Sequence, residues 1–277
     1  MGNSYFEVLQ RASSFLEAKG KEGYSIQYLL LERKGWDKTQ WLLHLHEPMP
    51  VIEEQQVAQD VERLVQDYPP QYILGFSEFY GHRFQVNEHT LIPRPETEEL
   101  VQQCLVENDT APRTVVDVGT GTGAIAISLK LARPQWRVIA IDISADTLKV
   151  AQHNAQALAA DIELLQSDGL QALRAVAIDV LISNPPYISS KEWELMDPSV
   201  RLYEPKKALF AENQGLSMYQ QLVTESQSFL KPAGKIYFEI GYQQGAAVKE
   251  ILAQSYPDKQ LRIQQDLSGR DRIVIAD

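Results

Sequence analysis

The 277-residue chain has a single cysteine, Cys104. A lone cysteine forms no intramolecular disulfide and builds no Cys-rich zinc site, and the scarcity fits a reducing compartment. Long apolar runs are missing too. No stretch reaches the ~18 residues that a membrane span needs, so no membrane partner and a cytoplasmic location are expected. Met1 to Phe6 shows no basic segment leading into an apolar one, so no secretory signal is expected here. Phe6 also stands where an N-myristoylation motif wants Ser or Thr. Positive charge is in short supply, with 26 Lys and Arg against 37 Asp and Glu and a formal net charge of −11. General nucleic-acid binders carry a basic footprint, so direct nucleic-acid binding is not expected. Metal ligands are sparse. His44 and His46 lie two residues apart and do not share a helix face, so no metal site is expected.

What is present suffices for a globular fold. Hydrophobic residues make up 44% of the chain, ample for a core, and the length suits one large or two modest domains. Residues 1–75 read as a helical bundle. Phe6, Leu9, Ala12, Phe15 and Leu16 recur at helical spacing up to Gly20. Ser25 to Arg33 forms a second helix, and Asp37 with Gln40 resembles a capping box opening a third over Thr39 to His46. Ile52 to Gln66 is the fourth, stopped by Pro69-Pro70. Residues 76–92 then read as a β-hairpin linker, with Phe79, Tyr80, Phe84 and Val86 set among glycines. Residues 93–277 alternate strands with helices, as in a doubly wound α/β sheet. Pro95, followed by Glu96, Glu98 and Glu99, opens a helix running to about Glu107. Gly215 to Leu230 is expected as one helix and Lys235 to Ile240 as the strand after it. Arg94, held between two prolines, is expected to border the active site.

Chemistry concentrates at two strand ends. The first is Asn184-Pro185-Pro186-Tyr187, after the apolar run Ile178 to Ser183. Ligands in open α/β sheets bind beyond the carboxyl ends of strands. Two consecutive prolines stiffen the loop and give it no N–H. Asn184 offers an amide oxygen, Pro185 a carbonyl, and Tyr187 a flat apolar face. These suit a planar substrate bearing an –NH2 group. The second is Gly119-Thr120-Gly121-Thr122-Gly123, after the strand Val115 to Val118. Glycines let a ligand press against the backbone. Asp142, about twenty residues on, can hold ribose hydroxyls. This pairing serves NAD and S-adenosylmethionine alike, since both carry adenosine. Asp117 and Asp168 separate the two readings. Asp168 is placed to meet an adenine amino group, and Asp117 to lie near a cationic methionine moiety. Acids favour an ammonium and a sulfonium and would repel a pyrophosphate.

These residues resemble the class I S-adenosylmethionine-dependent methyltransferases, whose amino-methylating members carry N-P-P-Y after the fourth strand. More narrowly, the chain resembles the release-factor glutamine methyltransferases of the PrmC/HemK family. Pro70 to Gly75, Leu91 to Glu98, Asp117 to Ile125, Asn184 to Ile188, Tyr203-Glu204-Pro205 and Glu239-Ile240-Gly241 follow that family's pattern over nearly the whole length. The resemblance implies a Rossmann-like catalytic domain with a small N-terminal helical domain for substrate recognition. It implies S-adenosylmethionine, leaving as S-adenosylhomocysteine, on Gly119, Thr120, Gly121, Thr122, Gly123, Asp142, Asp168, Gly169 and Asn184. Asn184, Pro185, Pro186 and Tyr187 would hold the substrate, the glutamine of the Gly-Gly-Gln loop in class I peptide-chain release factors. The alternative is an adenine or guanine amino-methyltransferase acting on nucleic acid, since N-P-P-Y is shared with those enzymes. One position departs from the pattern. Gly169 stands where some members have an aromatic residue, so a weaker adenine contact is expected there.

Overall fold

The computed structural model describes residues 2–277, which divide into two compact units. The first comprises residues up to Phe76 together with Asp197–Tyr203. Its helices are α1 (Tyr5–Ala18), α2 (Tyr24–Lys34), α3 (Lys38–His44), α4 (Val51–Val65) and α5 (Pro70–Leu74). Ser4 with Glu7 and Asp37 with Gln40 form reciprocal capping boxes at α1 and α3, each satisfying otherwise orphaned backbone donors. Left-handed Gly35 closes α2. The fourth helix ends at Val65, before Pro69-Pro70 as expected, and Pro70 itself opens a further short helix, α5. There its missing N–H costs nothing, and left-handed Gly75 closes that turn. Leu16, Ile26 and Leu29 are fully buried in the centre of the bundle. The fully buried Asp60 receives both terminal nitrogens of Arg33, which satisfies a charge that would otherwise be costly to bury. The short helix Pro198–Tyr203 belongs to this unit. The Tyr203 hydroxyl donates to the Gln66 carbonyl at 2.8 Å, and its ring meets that of Tyr68 edge-on at 4.9 Å. The expected continuous catalytic segment, residues 93–277, is thus interrupted by a few residues whose aromatic contacts lie in the helical unit.

The second unit holds residues 77–196 and 204–277. Its hairpin pairs β1 (Phe76–Phe79) with β2 (His82–Gln85) around Tyr80-Gly81, both at positive φ, the geometry that matches strand twist in a tight turn. The hairpin is not the linker expected from the sequence. Phe79 and Phe84 are buried in this unit's core with Leu100, Val101 and Ile127. Next come α6 (Pro95–Glu107), β3 (Thr114–Val118), α7 (Ala124–Ala132), β4 (Arg137–Asp142), α8 (Ala145–Ala157), β5 (Glu163–Gln166) and β6 (Ile178–Ser183). After the long connection come β7 (Leu230–Glu239), β8 (Leu261–Gln265) and β9 (Asp271–Ala276). The sheet order is β5-β4-β3-β6-β7-β9-β8, parallel from β5 to β7 and antiparallel through β9 and β8. Strands buried on both faces explain the continuous apolar runs of β3 and β6. The order reverses between β3 and β6, and the crevice beyond their carboxyl ends is where this architecture binds ligands.

The connection after β6 is more structured than its sequence suggests, with short helical pieces at Trp193–Leu195, Pro198–Tyr203 and Lys206–Leu209. The helix expected over Gly215 to Leu230 covers only Ser217–Ser226, and β7 begins at Leu230 rather than Lys235. The preceding residues Asn213, Gln214 and Gly215 all adopt left-handed φ, at 53°, 58° and 83°, which breaks the helical path.

Candidate active site

The glycine loop leaves β3 with Gly119 and Thr120 donating their N–H groups to the Ile141 carbonyl, each at 2.9 Å. Gly119 and Gly121 have φ of +73° and +57°, and nothing stands within 4 Å of where a Cβ would point. Both face a cavity of about 490 Å³ also lined by Asp142, Asp168, Gly169, Asn184 and Pro186, within the size range of cofactor sites. Thr120, Thr122 and Gly123, expected beside the cofactor, do not line it. The buried Thr120 hydroxyl donates to Asp117 Oδ2 at 2.6 Å. Thr122 is buried and its carbonyl accepts from Asn154 Nδ2 at 2.9 Å. A Cβ on Gly123 would come 2.8 Å from Ile127, so this glycine serves the packing of α7.

The acids are held differently. Asp142 Oδ2 accepts from Gly121 N at 3.1 Å and Oδ1 from Ser144 N at 2.9 Å, which fixes the carboxylate at the cavity wall. Burial raises its pKa, and the same backbone donors oppose the rise. Asp168 Oδ1 accepts from Gln221 Nε2 at 3.1 Å. A Cβ on Gly169 would lie 2.3 Å from Glu225 Oε2, whose carboxylate takes the Leu170 N–H at 2.6 Å. Gly169 adopts φ +56°, a conformation that L side chains rarely take, so any side chain here would be strained and would have to displace the Glu225 and Gln221 side-chain ends. Burial pushes the Asp117 carboxyl up to about 7, against the Thr120 hydroxyl bond.

A second, smaller pocket of about 60 Å³ is lined by Arg94, Asn184, Pro185, Tyr187 and Glu239. Leu91, Asn184 and Ala208 line both pockets. The register pairs Ser183 of β6 with Phe238 of β7, so Asn184 and Glu239 leave adjacent strands side by side. Asn184 Nδ2 donates to Thr97 Oγ1 at 3.1 Å, and Thr97 Oγ1 donates to Glu239 Oε2 at 2.7 Å. Burial pushes the Glu239 carboxyl up to about 7, with the Thr97 bond acting the other way. Burial also raises the Tyr187 hydroxyl well above its ordinary value, so it stays neutral.

The loop is braced from behind. Gln244 Nε2 donates to the Tyr187 carbonyl at 3.1 Å and to the Gln214 carbonyl at 3.2 Å, while Gln244 Oε1 accepts from Gly241 N at 3.0 Å. A Cβ on Gly215 would fall 2.1 Å from the Tyr187 carbonyl oxygen, so only glycine lets the left-handed turn come this close. Arg94, at the rim as expected, forms a salt bridge with the buried Glu204 carboxylate, which also accepts from Ile92 N at 3.1 Å. No histidine or thiol reaches the small pocket among its lining residues. Cys104 is buried in the core, where desolvation pushes its thiol up to about 12. Among the described residues no group of His, Cys, Asp and Glu could hold a metal ion, and no helix is long and apolar enough to cross a membrane.

Local sequence reasoning did not find Thr97, Glu239, Gly215 or Gln244 as parts of the site. Thr97 and Glu239 were visible only inside segments that follow a family pattern. Their pairing spans 142 positions of chain, and no local periodicity reports it.

Comparison with known proteins places the chain in one family. A profile described as methyltransferase small domain matches residues 96–202, and one described as PrmC N-terminal domain matches residues 7–75. The chain is 66% identical to a release factor glutamine methyltransferase of Enterococcus faecalis, with 100% of each chain covered. It is 38% identical to a protein of that name from Bacillus subtilis, over 98% of this chain and 96% of the relative. Among solved structures, a Pyrococcus furiosus methyltransferase superposes with a TM-score of 0.56 at 14% identity, covering 79% of this chain and 98% of the other. A Thermus thermophilus 16S rRNA guanine methyltransferase, solved with its methyl donor and guanosine, gives 0.52 at 16% identity, over 73% of this chain and 49% of the other. At these identities the structural likenesses establish the fold alone.

Proposed function

The chain belongs to the release factor glutamine methyltransferases, and from that premise we propose that it methylates the side-chain amide nitrogen of the glutamine in the Gly-Gly-Gln loop of class I peptide-chain release factors. The observation that carries the reading is the place of Asn184. Its side chain lines both the nucleoside-sized cavity and the small pocket, with Nδ2 committed to Thr97.

The residues fit S-adenosylmethionine. Gly119 and Gly121 leave open space over the backbone, the pinned Asp142 carboxylate keeps lone pairs for ribose hydroxyls, and Asp168 stands where an adenine amino group can donate. When bound, this cofactor supplies a methyl group on a sulfonium, a strong electrophile with a neutral thioether as leaving group. The chain's own residues solve a different problem. An amide nitrogen is a poor nucleophile because its lone pair is delocalised into the carbonyl. Asn184 Oδ1 and the Pro185 carbonyl each accept one N–H of the substrate amide, which fixes its orientation and stabilises the positive charge that develops on nitrogen. Tyr187 packs on the amide plane. The proton lost from nitrogen becomes acidic only as the new bond forms, so no strong base is needed beforehand.

A release-factor substrate is a translation protein, which places the work in the cytoplasm. Acidic composition argues against free nucleic acid as the presenter of the –NH2 group. The test offers an intact release factor, its loop Gln→Ala and Gln→Asn variants, RNA and DNA to the full-length enzyme with labelled methyl donor. Label on the intact factor alone, mapped by mass spectrometry to the loop glutamine, is expected. Label that persists on the Gln→Ala factor, or appears on RNA or DNA, overturns the protein-substrate reading.

The cofactor assignment predicts that Asp142→Ala weakens S-adenosylmethionine binding by about 1–3 kcal/mol, the loss of hydrogen bonds to a charged acceptor. That corresponds to roughly fivefold to 150-fold in dissociation constant by calorimetry. Unchanged affinity would remove Asp142 from the site.

A further inference from the structure

We infer that Thr97 and Glu239 are positioning residues that set which way round the Asn184 amide stands, so that its oxygen rather than its nitrogen faces the substrate –NH2. The inference rests on the proposed role of Asn184 as an acceptor and adds what enforces it.

Hydrogen-bond polarity along the chain Glu239–Thr97–Asn184 enforces this orientation. An ionised carboxylate only accepts, and a threonine hydroxyl has one proton to give. Thr97 Oγ1 lies 2.7 Å from Glu239 Oε2 and 3.1 Å from Asn184 Nδ2. With its proton committed to Glu239, the Thr97 hydroxyl can only accept from Asn184. The side-chain amide must then turn Nδ2 toward Thr97, which leaves Oδ1 for the small pocket. The flipped amide would set an oxygen against a hydroxyl with no proton to offer, and would present N–H groups to substrate N–H groups.

The surrounding structure holds this chain of bonds in place. Thr97 sits in the first turn of α6 and is buried, as is Glu239 at the end of β7. The Tyr219 hydroxyl donates to the Glu239 carbonyl at 2.7 Å and fixes the backbone there. A buried carboxylate with one side-chain donor is costly, and an apolar residue would fill the space at no such cost. Its value here is that it is acceptor-only.

A pH dependence follows. The groups facing the Glu239 carboxyl are Thr97 and Glu96 of α6, Arg94 before it, Arg272 of β9, and the neutral Tyr187 and Tyr219. Arg272 and Arg94 favour the ionised form, Glu96 opposes it, and burial outweighs them all. As pH falls through about 7 the carboxyl gains a proton. It can then donate to Thr97, which frees the hydroxyl proton to face Asn184 and permits the flipped amide. Turnover falls on the acid side for this reason.

The experiment measures kcat, release-factor KM, S-adenosylmethionine affinity and thermal midpoint for Thr97→Val, Thr97→Ser, Glu239→Gln and Asn184→Ala in the full-length enzyme, from pH 6 to 9. Thr97→Val is expected to lower kcat by roughly tenfold to a hundredfold, the scale of a misplaced reacting group, with both binding constants within about twofold. Thr97→Ser keeps the hydroxyl and restores kcat to within a few-fold. Glu239→Gln can donate or accept, so it lowers the plateau and removes the acid limb. A wild-type kcat for Thr97→Val, a Thr97→Ser as slow as Thr97→Val, or an acid limb retained in Glu239→Gln overturns the inference. If Asn184→Ala is slow while Thr97→Val is not, the relay alone fails. If Asn184→Ala turns over at the wild-type rate, the acceptor reading beneath it fails.

Discussion

Asn184→Ala is expected to bind S-adenosylmethionine nearly as well as the unaltered chain and to turn over a hundredfold or more slowly, about the effect of losing one oriented hydrogen bond in a transition state. The cofactor cavity has many walls, and most survive the change: Gly119, Gly121, Asp142 and Asp168 are untouched. The small pocket has no substitute. Of the groups lining it, Asn184 and Pro185 supply the oxygens proposed to meet both hydrogens of a primary amide, the Glu239 carboxylate is engaged by Thr97, and the partly buried Tyr187 keeps a neutral hydroxyl. Single-turnover rates with enzyme in excess over release factor separate this loss from slow product release, and calorimetry on the same preparation checks the cofactor. A loss of less than about fivefold in the single-turnover rate would show that Asn184 does not hold the reacting amide. Because Thr97 and Glu239 act through Asn184, adding Thr97→Val to Asn184→Ala is expected to slow the enzyme little further. Residues that work as a unit are strongly non-additive.

The parts of this site that were legible in the sequence are those where chemistry and chain direction coincide. A glycine loop after an apolar strand and an acid at the end of the next strand are local patterns, and β3 and β4 carry them as expected. The sequence also marked Asn184 to Tyr187, since paired prolines after a buried strand are rare without a purpose. That Thr120, Thr122 and Gly123 do not line the cavity is not legible, because a loop's sequence does not say which residues face it. Alternation of φ does: Gly119 and Gly121 open onto the cavity, while Thr120 turns inward to Asp117. The hairpin reads as a linker because its glycines and polar residues signal a turn without revealing that Phe79 and Phe84 reach the core. The connection after β6 hid its structure for another reason. Its short helical pieces lack the length over which periodicity becomes a signal, and the left-handed turn at Asn213 and Gln214 uses residues other than glycine. Gly169 shows the converse. The sequence marked its departure from the family pattern, and the positive φ of +56° favours glycine there.

The largest expected effect on stability falls on Arg94→Ala. Glu204 has a side chain only 1% exposed, against 33% for Arg94. Its carboxylate has the Arg94 guanidinium and the Ile92 N–H as partners. Removing the guanidinium leaves a buried charge with a single backbone donor, and breaking a buried pair from one side costs about 3–5 kcal/mol. The partial exposure of Arg94 admits water to the gap, which places the expected loss near the lower end, about 3 kcal/mol. For a unit of this size that is a fall of roughly 6–12 °C in thermal midpoint. The charge, not the lost packing, is the cause, and a second substitution shows it. Glu204→Gln in the Arg94→Ala background keeps an acceptor for the Ile92 N–H but carries no charge, so it should recover at least half of the lost midpoint. Glu204→Gln alone should cost less than Arg94→Ala alone, since the partly exposed guanidinium can still be solvated. The pair also ties Ile92 beside Leu91, which lines both pockets, so Arg94→Ala should lower kcat as well as the midpoint. If the double variant melts no higher than Arg94→Ala, the stabilisation comes from the packing of the arginine stem, and the Glu204 charge is not what Arg94 is there to meet.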